Sequence, residues 1–296
     1  LHLRILLCGM PHFAGLMEKY LKKYYFVQKS SNNPVDIISK IRLFDVVHFL
    51  YSPTVKLRAL LLLPILKIAR KKVIVQWAGS HILQLYNSYK SKIINKLTTN
   101  MVDINLCGHF FNQKELFSLG VKCKIIKAEI VGMNTPKVSN LPDEFTILTY
   151  LPEDRFDFYG GRIIEKLIAE MKDTKFIVVG SKGKNRIKAD NVKWLGKVPF
   201  RRMRHIYKLS TVLLRIPLHD NLSNMVIEAL LYGRYVIYNN KFPHCCYAKN
   251  YDEVVYWLNV LRGVKKPNFK GREFAIKFVK HNRLALRNVY ERISST

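Results

Sequence analysis

The chain has 296 residues, 49% of them apolar, and carries 50 Lys/Arg against 21 Asp/Glu for a net charge of +29. That apolar share excludes a disordered chain, and the length provides for two domains that each bury a core. The charge points to phosphate-bearing partners (nucleotides, anionic lipid headgroups or nucleic acid) and says little about fold.

In chain order, apolar strand-like runs alternate with helical patterns. Strands are predicted over 3–9, 25–28, 45–51, 72–79, 103–107 and 124–131, and helices near 13–23, 34–42, 55–70, 88–100 and 112–118. Residues 132–143, GMNTPKVSNLPD, hold two prolines, a glycine and polar residues, and read as a linker. Beyond it, strands are predicted over 145–151, 175–180, 192–196, 211–216 and 235–238, with helices near 160–172, 200–208, 224–232 and 251–262. The tail over about 271–293 is a long basic helical pattern. Strands that alternate with helices favour parallel sheets covered on both faces, so the expected fold class is α/β with two Rossmann-like domains.

Five cysteines (Cys8, Cys107, Cys123, Cys245, Cys246) show no metal-ligand spacing. They read as small core residues of a reducing, cytoplasmic compartment. The opening LHLRILLCGM fits a first strand better than a secretory leader. No run reaches the ~18 apolar residues of a spanning helix. Residues 1–140 hold 21 Lys/Arg and 6 Asp/Glu, a net of +15. Segment 55–72 has an apolar centre with basic flanks, and 86–96 interleaves lysines with tyrosines. A basic amphipathic face of this kind suits an anionic bilayer, on the inner side of the membrane. The plainer reading makes 57–69 a packed helix with a buried apolar centre and a solvated rim.

Segment 211–237, TVLLRIPLHDNLSNMVIEALLYGRYVI, carries most of the functional signal. An apolar strand gives way to a polar loop, then to a helix with one acid, Glu228, and then to a second strand. Ligands of open α/β sheets bind at strand C-termini, and helix N-termini favour anions. The segment resembles the donor-sugar motif of retaining two-Rossmann (GT-B) glycosyltransferases of family four. There an acid, seven residues and a Glu precede an Ala and then a Gly; here these are Asp220, Glu228, Ala229 and Gly233. Asp220 replaces the family's usual Glu, and Asn221–Met225 replaces its glycine-rich stretch.

The resemblance implies two domains, 1–135 for the acceptor and 141–277 for the donor, with a tail of about 278–296 packed back on the first. It implies that Glu228 accepts hydrogen bonds from the ribose hydroxyls of a sugar nucleotide and that Asp220 sits by the donor sugar. The amides of Asn221, Leu222, Ser223, Asn224 and Met225 would face the sugar and the diphosphate. Arg155, with Arg162 second, would clamp the diphosphate; the alternative pairs Arg155 with Glu153 or Asp157 on its own loop. Backbone atoms at Lys197 and Val198 would lie beside the base. Lys182, in the glycine turn GSKGK, is a phosphate contact or a solvated loop lysine. In the first domain Gly9 and Gly79 fit the family's strand-end loops. His81, His109 and His12, ranked in that order, are acceptor-activating or sugar-contacting groups if they are not structural. Glu228 itself has a plainer alternative, an exposed first-turn acid favoured by the helix dipole.

The expected function is therefore a metal-independent, retaining glycosyltransferase without a cofactor. Its donor would be a UDP- or GDP-linked sugar, bound in the cleft between domains. Its acceptor would be a lipid-linked or cell-surface glycan precursor. A sugar-nucleotide epimerase or phosphorylase of the same fold, an inactive scaffold, and a basic nucleic-acid-binding protein are the alternatives. The last would cluster its basic residues on one recognition element, and here they are dispersed.

Overall fold

The computed structural model of the chain describes residues 3–31 and 33–295. Positions 1, 2 and 32 of the expected acceptor domain and the last of the expected tail helix lie outside the described residues. The chain divides into two units, Leu1–Asn134 with Phe278–Thr296, and Thr135–Lys277.

The first unit is built on β1 (Arg4–Cys8), β2 (Phe26–Ser30), β3 (Val46–Phe49), β4 (Lys72–Trp77), β5 (Ile104–Cys107) and β6 (Lys124–Ile125). All pair in parallel, in the order β2-β1-β3-β4-β5-β6. Strands buried on both faces need side chains that are apolar throughout. RILLC, VVHF and KVIVQW meet that need in their interior except at the buried Gln76 and at one buried ring, that of His48. Its Nδ1 lies 2.7 Å from the Tyr290 hydroxyl, so the buried ring has a partner. The helices are α1 (Pro11–Leu21), α2 (Pro34–Lys40), α3 (Ala59–Ile68), α4 (Gly79–Asn87), α5 (Tyr89–Thr98) and α6 (Phe110–Ser118).

The second unit has β7 (Thr146–Tyr150), β8 (Lys175–Val179), β9 (Val192–Trp194), β10 (Val212–Arg215), β11 (Tyr235–Tyr238) and β12 (Cys246–Tyr247). The order is β12-β11-β10-β7-β8-β9, again all parallel. Its helices are α7 (Gly161–Glu170), α8 (Phe200–Lys208), α9 (Asn224–Leu231) and α10 (Tyr251–Arg262). One long helix, α11 (Phe269–Ser294), ends the chain. Within the first unit, Asn282 of α11 accepts from the Lys127 amide at 2.6 Å, and Arg283 donates to the Val131 and Met133 carbonyls at 2.8 and 2.7 Å.

Three local expectations differ from the structure. The run 124–131 is not one strand: β6 has two residues, and Ala128–Ile130 forms a 3-10 turn. Lys127 and Glu129 of that run are buried as an ion pair, which a sheet interior would not satisfy. Residues from Gly79 onward open a helix, α4, where a strand-end loop was expected. The centre of α3 is not simply buried: Leu62, Leu63 and Leu66 are, but Leu57, Leu61 and Ile68 at the helix and its entrance face solvent.

Candidate functional site

In the second sheet β7 and β10 are neighbours, yet the chain leaves β7 toward β8 on one side and β10 toward β11 on the other. Such a reversal opens a crevice at the strand C-termini. The loops after these two strands meet there. Leu218 donates its amide to the Phe158 carbonyl at 2.8 Å. Gly160, at φ +75, lies so close to Ile216 that a Cβ would come within 2.7 Å of its Cγ1. Only glycine supplies both that backbone conformation and that approach.

Glu228 belongs to α9, the helix that follows the loop after β10. The αL residue Leu222 turns the chain (φ 45), Ser223 caps α9 by accepting the Met225 amide at 3.2 Å, and the helix then carries Glu228 into the interior. The side chain is buried, not an exposed first-turn acid. Tyr207 of α8 donates its hydroxyl to Glu228 at 2.6 Å. Burial raises the Glu228 pKa to about 7, against the opposing pull of Tyr207 and the Arg204 charge. An ionised carboxylate accepts several hydrogen bonds, so Tyr207 takes up part of its capacity.

Asp220, expected beside the donor sugar, is held by its neighbours. It is an ion-pair partner, with Arg215 Nε 2.7 Å from Oδ2 and both side chains about nine-tenths buried. Its other oxygen accepts the Asn221 amide at 3.0 Å. Burial alone would lower the Arg215 pKa, and the Asp220 charge and hydrogen bond more than reverse it. The pair holds the loop from β10 to α9 in place, and the Arg215 guanidinium lies 5.3 Å from the Tyr159 ring centre. The amides of Asn221 and Met225, expected to face a ligand, have acceptors inside the loop. Leu222, Ser223 and Asn224 remain from the expected set. Asn224 Oδ1 is buried with no hydrogen-bond partner among the described residues.

Arg155 pairs with neither expected acid. Glu153 accepts from the Lys182 amide at 2.9 Å and from Ser181 Oγ at 3.3 Å, while Asp157 binds Arg162 at 3.0 Å. Arg155 is exposed and lies 4.0 Å over the Phe158 ring. Arg162 is exposed and already neutralised by Asp157. Lys182 is exposed on the loop after β8, and Lys197 and Val198 follow β9. Two hydrogen bonds of 2.7 Å, Gly180 amide to Gly196 carbonyl and Gly196 amide to Ser181 carbonyl, fasten these loops together. All of these groups therefore stand at C-terminal ends of one sheet. A cavity of about 440 Å³ in this unit is lined by Glu144, Thr146, Lys175 and Val192, at the opposite ends of the strands, away from the crevice.

In the first unit the other expected residues also follow strand C-termini. Gly9 (φ 86) ends β1, and His12 is the second residue of α1, exposed. Gly79 opens α4, and His81 Nδ1 accepts the Ser52 amide at 3.4 Å. His109 caps α6, its Nδ1 accepting the Phe111 amide at 3.3 Å. Burial, reinforced by Lys56 and Arg58, lowers the His81 pKa to about 4. Burial and then Lys127 lower that of His109, and burial lowers that of His12. With Nδ1 of His81 and His109 already accepting an amide, the neutral form of either ring carries its proton on Nε2 and can donate a hydrogen bond there.

Sequence reasoning did not find Tyr207, Arg215, Lys127 or Glu129. Tyr207 and Glu228 are 21 positions apart, and Arg215 stands in a run read as apolar strand. A basic residue at the last position of a strand before a polar loop was the one available signal.

No family model and no curated protein sequence matches the chain. Solved structures do resemble it. HepE of Anabaena, in complex with UDP and glucose, matches over 100% of both chains at 11% identity, with a TM-score of 0.70. The lipopolysaccharide outer core galactosyltransferase WaaB, in its apo form, covers 96% of this chain and 100% of its own at 12% identity and TM-score 0.61. Sucrose-phosphate synthase from Thermosynechococcus elongatus matches over 99% of each chain at 11% identity, with TM-score 0.66. At such identities the likeness establishes the fold, which is GT-B.

Proposed function

We propose that the chain is a glycosyltransferase that takes a nucleoside diphosphate sugar as donor, a UDP-linked one being favoured over a GDP-linked one. The observation that carries this reading is the buried Glu228, on the helix that follows the switch-point loop and bonded to Tyr207. A carboxylate is an expensive group to bury, and two adjacent ribose hydroxyls are suited to share it. The HepE structure, of the same fold, contains UDP and glucose. Arg155, which stacks on Phe158 without an acid partner among the described residues, supplies the cation for the diphosphate, with Lys182 behind it. The amides of Leu222 to Asn224 supply neutral donors for the donor sugar. Asp220, tied to Arg215, shapes the sugar pocket and is not a base.

Chemistry follows from that assignment. Charge develops on the departing diphosphate, and Arg155 with the loop amides stabilises it there. His81 and His109, neutral on the first unit, position the acceptor hydroxyl, and the leaving phosphate takes its proton. That is the retaining, front-face course, with hexosyl transfer that requires no metal. A panel of sugar nucleotides, read by thermal stabilisation and by hydrolysis, tests the reading, because a ligand that binds the native state raises apparent stability. A donor that is bound and returned as a sugar epimer indicates the epimerase reading instead.

The acceptor belongs to the first unit and is lipid-linked, a cell-surface glycan precursor. No helix among the described residues is long and apolar enough to cross a membrane. Support comes from α3 and α5, which pack side by side and expose Leu61 (74%), Ile68 (83%) and Tyr89 (79%). Nine Lys/Arg and no Asp/Glu lie between Asp45 and Asp103. Such a surface takes an anionic bilayer, at the cytoplasmic face, and not nucleic acid.

A further inference from the structure

Two thiols in the first unit stand apart from the other three. Cys107 ends β5, and Cys123 lies just before β6, the neighbouring edge strand. Their sulfurs are 3.3 Å apart. Cys107 is fully buried, while Cys123 is half-buried and borders a cavity of about 340 Å³ lined also by Gln113, Lys114, Phe117 and Lys122. We infer that Cys107 and Cys123 form a dithiol site that is oxidised to a disulfide by a small anionic disulfide seated in this cavity.

The geometry divides the labour between the sulfurs. Cys123 faces the cavity, so it is the attacking thiol, and the two lysines favour a negatively charged oxidant. The neighbouring Cys107 side chain lowers the Cys123 pKa, partly offset by burial, whereas the Cys123 side chain and burial push Cys107 up. Cys8 and Cys245 are pushed well up by burial, and Cys246 is pushed up to about 11. At neutral pH those three stay thiols and serve as internal controls.

The reaction balances as two exchanges. Cys123 thiolate attacks one sulfur of the small disulfide, and the S–S bond breaks to release one small thiolate. Cys107 gives its proton to that thiolate and attacks Cys123 Sγ, forming the protein disulfide and expelling the second small thiolate, which takes up the proton that Cys123 had lost. The protein loses two electrons and two protons, and the small disulfide gains them. The sulfurs must close from 3.3 Å to the ~2.0 Å of a disulfide. β6 has two residues, both exposed at a sheet edge, and can follow. Closure also removes the Cys107 thiol from the His109 carbonyl, 3.6 Å away, so oxidation reaches a group of the candidate acceptor site.

The test treats the full chain with glutathione disulfide at neutral pH, with cystamine as a cationic control, and maps alkylated peptides by mass spectrometry. The inference expects a Cys107–Cys123 disulfide with two glutathione thiols released per chain. Cys107→Ser should instead accumulate glutathione on Cys123, with Cys107→Ala as a substitute if the serine variant folds poorly. Lys114→Glu combined with Lys122→Glu should slow the glutathione reaction several-fold and leave cystamine as fast or faster. Glutathione on Cys245 or Cys246 but not on Cys123, or no adduct on Cys123 in either Cys107 variant, overturns the site. Equal rates for glutathione disulfide and cystamine overturn the assignment of an anionic oxidant.

Discussion

Tyr207 and Glu228 join two helices through one short hydrogen bond, 2.6 Å from hydroxyl to carboxylate, with both side chains buried. The bond fixes an acid whose protonation state changes near neutrality. Binding of ribose hydroxyls to the ionised form therefore strengthens as pH rises through about 7 and levels off above it. Stability moves the other way. The folded chain keeps the Glu228 proton up to about pH 7, and the unfolded chain releases it near the ordinary Glu value of ~4.3, so stability falls as pH climbs between the two. Glu228→Gln removes that decline, which is about 3–4 kcal/mol at most. Urea unfolding of both proteins at about pH 5 and about pH 8 measures it. Tyr207→Phe should cost ~1–3 kcal/mol and shift the pH midpoint of nucleotide binding upward.

The Arg215–Asp220 pair is expected to be structural first. Asp220→Ala leaves a buried guanidinium unpaired and should destabilise the chain by ~3–5 kcal/mol. The double variant Arg215→Met/Asp220→Leu should recover much of that stability while losing donor-sugar selectivity. A single variant that unfolds at the same urea concentration as the parent contradicts the pairing.

Arg155 and Arg162 separate a ligand contact from a surface pair. Arg155→Ala should weaken UDP about tenfold or more, because a cation–phosphate contact is lost, without a change in melting temperature. Arg162→Ala, which breaks only the exposed pair with Asp157, should leave both quantities unchanged. Isothermal titration with UDP distinguishes the two.

Membrane docking makes an independent prediction. Leu61→Glu with Ile68→Glu alters residues that are exposed in the first unit and far in sequence from the donor loops. The variant should lose flotation with phosphatidylglycerol vesicles and keep UDP affinity. The parent should fail to float with phosphatidylcholine alone. Equal flotation of parent and variant counts against α3 as the docking face.

The strands were legible because parallel strands covered on both faces must be apolar through most of their length, as VLL of β10 and YVIY of β11 are. The two-residue β12 carries too little pattern to be read. The start of α4 was hidden because Gly79 and Ser80 read as loop residues, and only the packing of Ile82 and Leu85 reveals a helix. The loop and helix around Glu228 were legible in spacing. What the spacing leaves out is which acid is already engaged. Asp220 reads as a ligand group until Arg215, five positions earlier in a strand, is seen to turn its guanidinium onto it. The same limit applies to Cys107 and Cys123, which are 16 positions apart and meet only because β5 and β6 pair.

The central claim is that Glu228 binds the ribose of a nucleoside diphosphate sugar. Calorimetric titration of UDP-glucose into the parent chain and into Glu228→Ala, above the Glu228 pKa at about pH 8, tests it most directly. The account predicts measurable binding to the parent and a loss of at least about 2 kcal/mol in the variant, roughly thirtyfold in Kd. Equal affinity for the two proteins, with the variant folded, would contradict it.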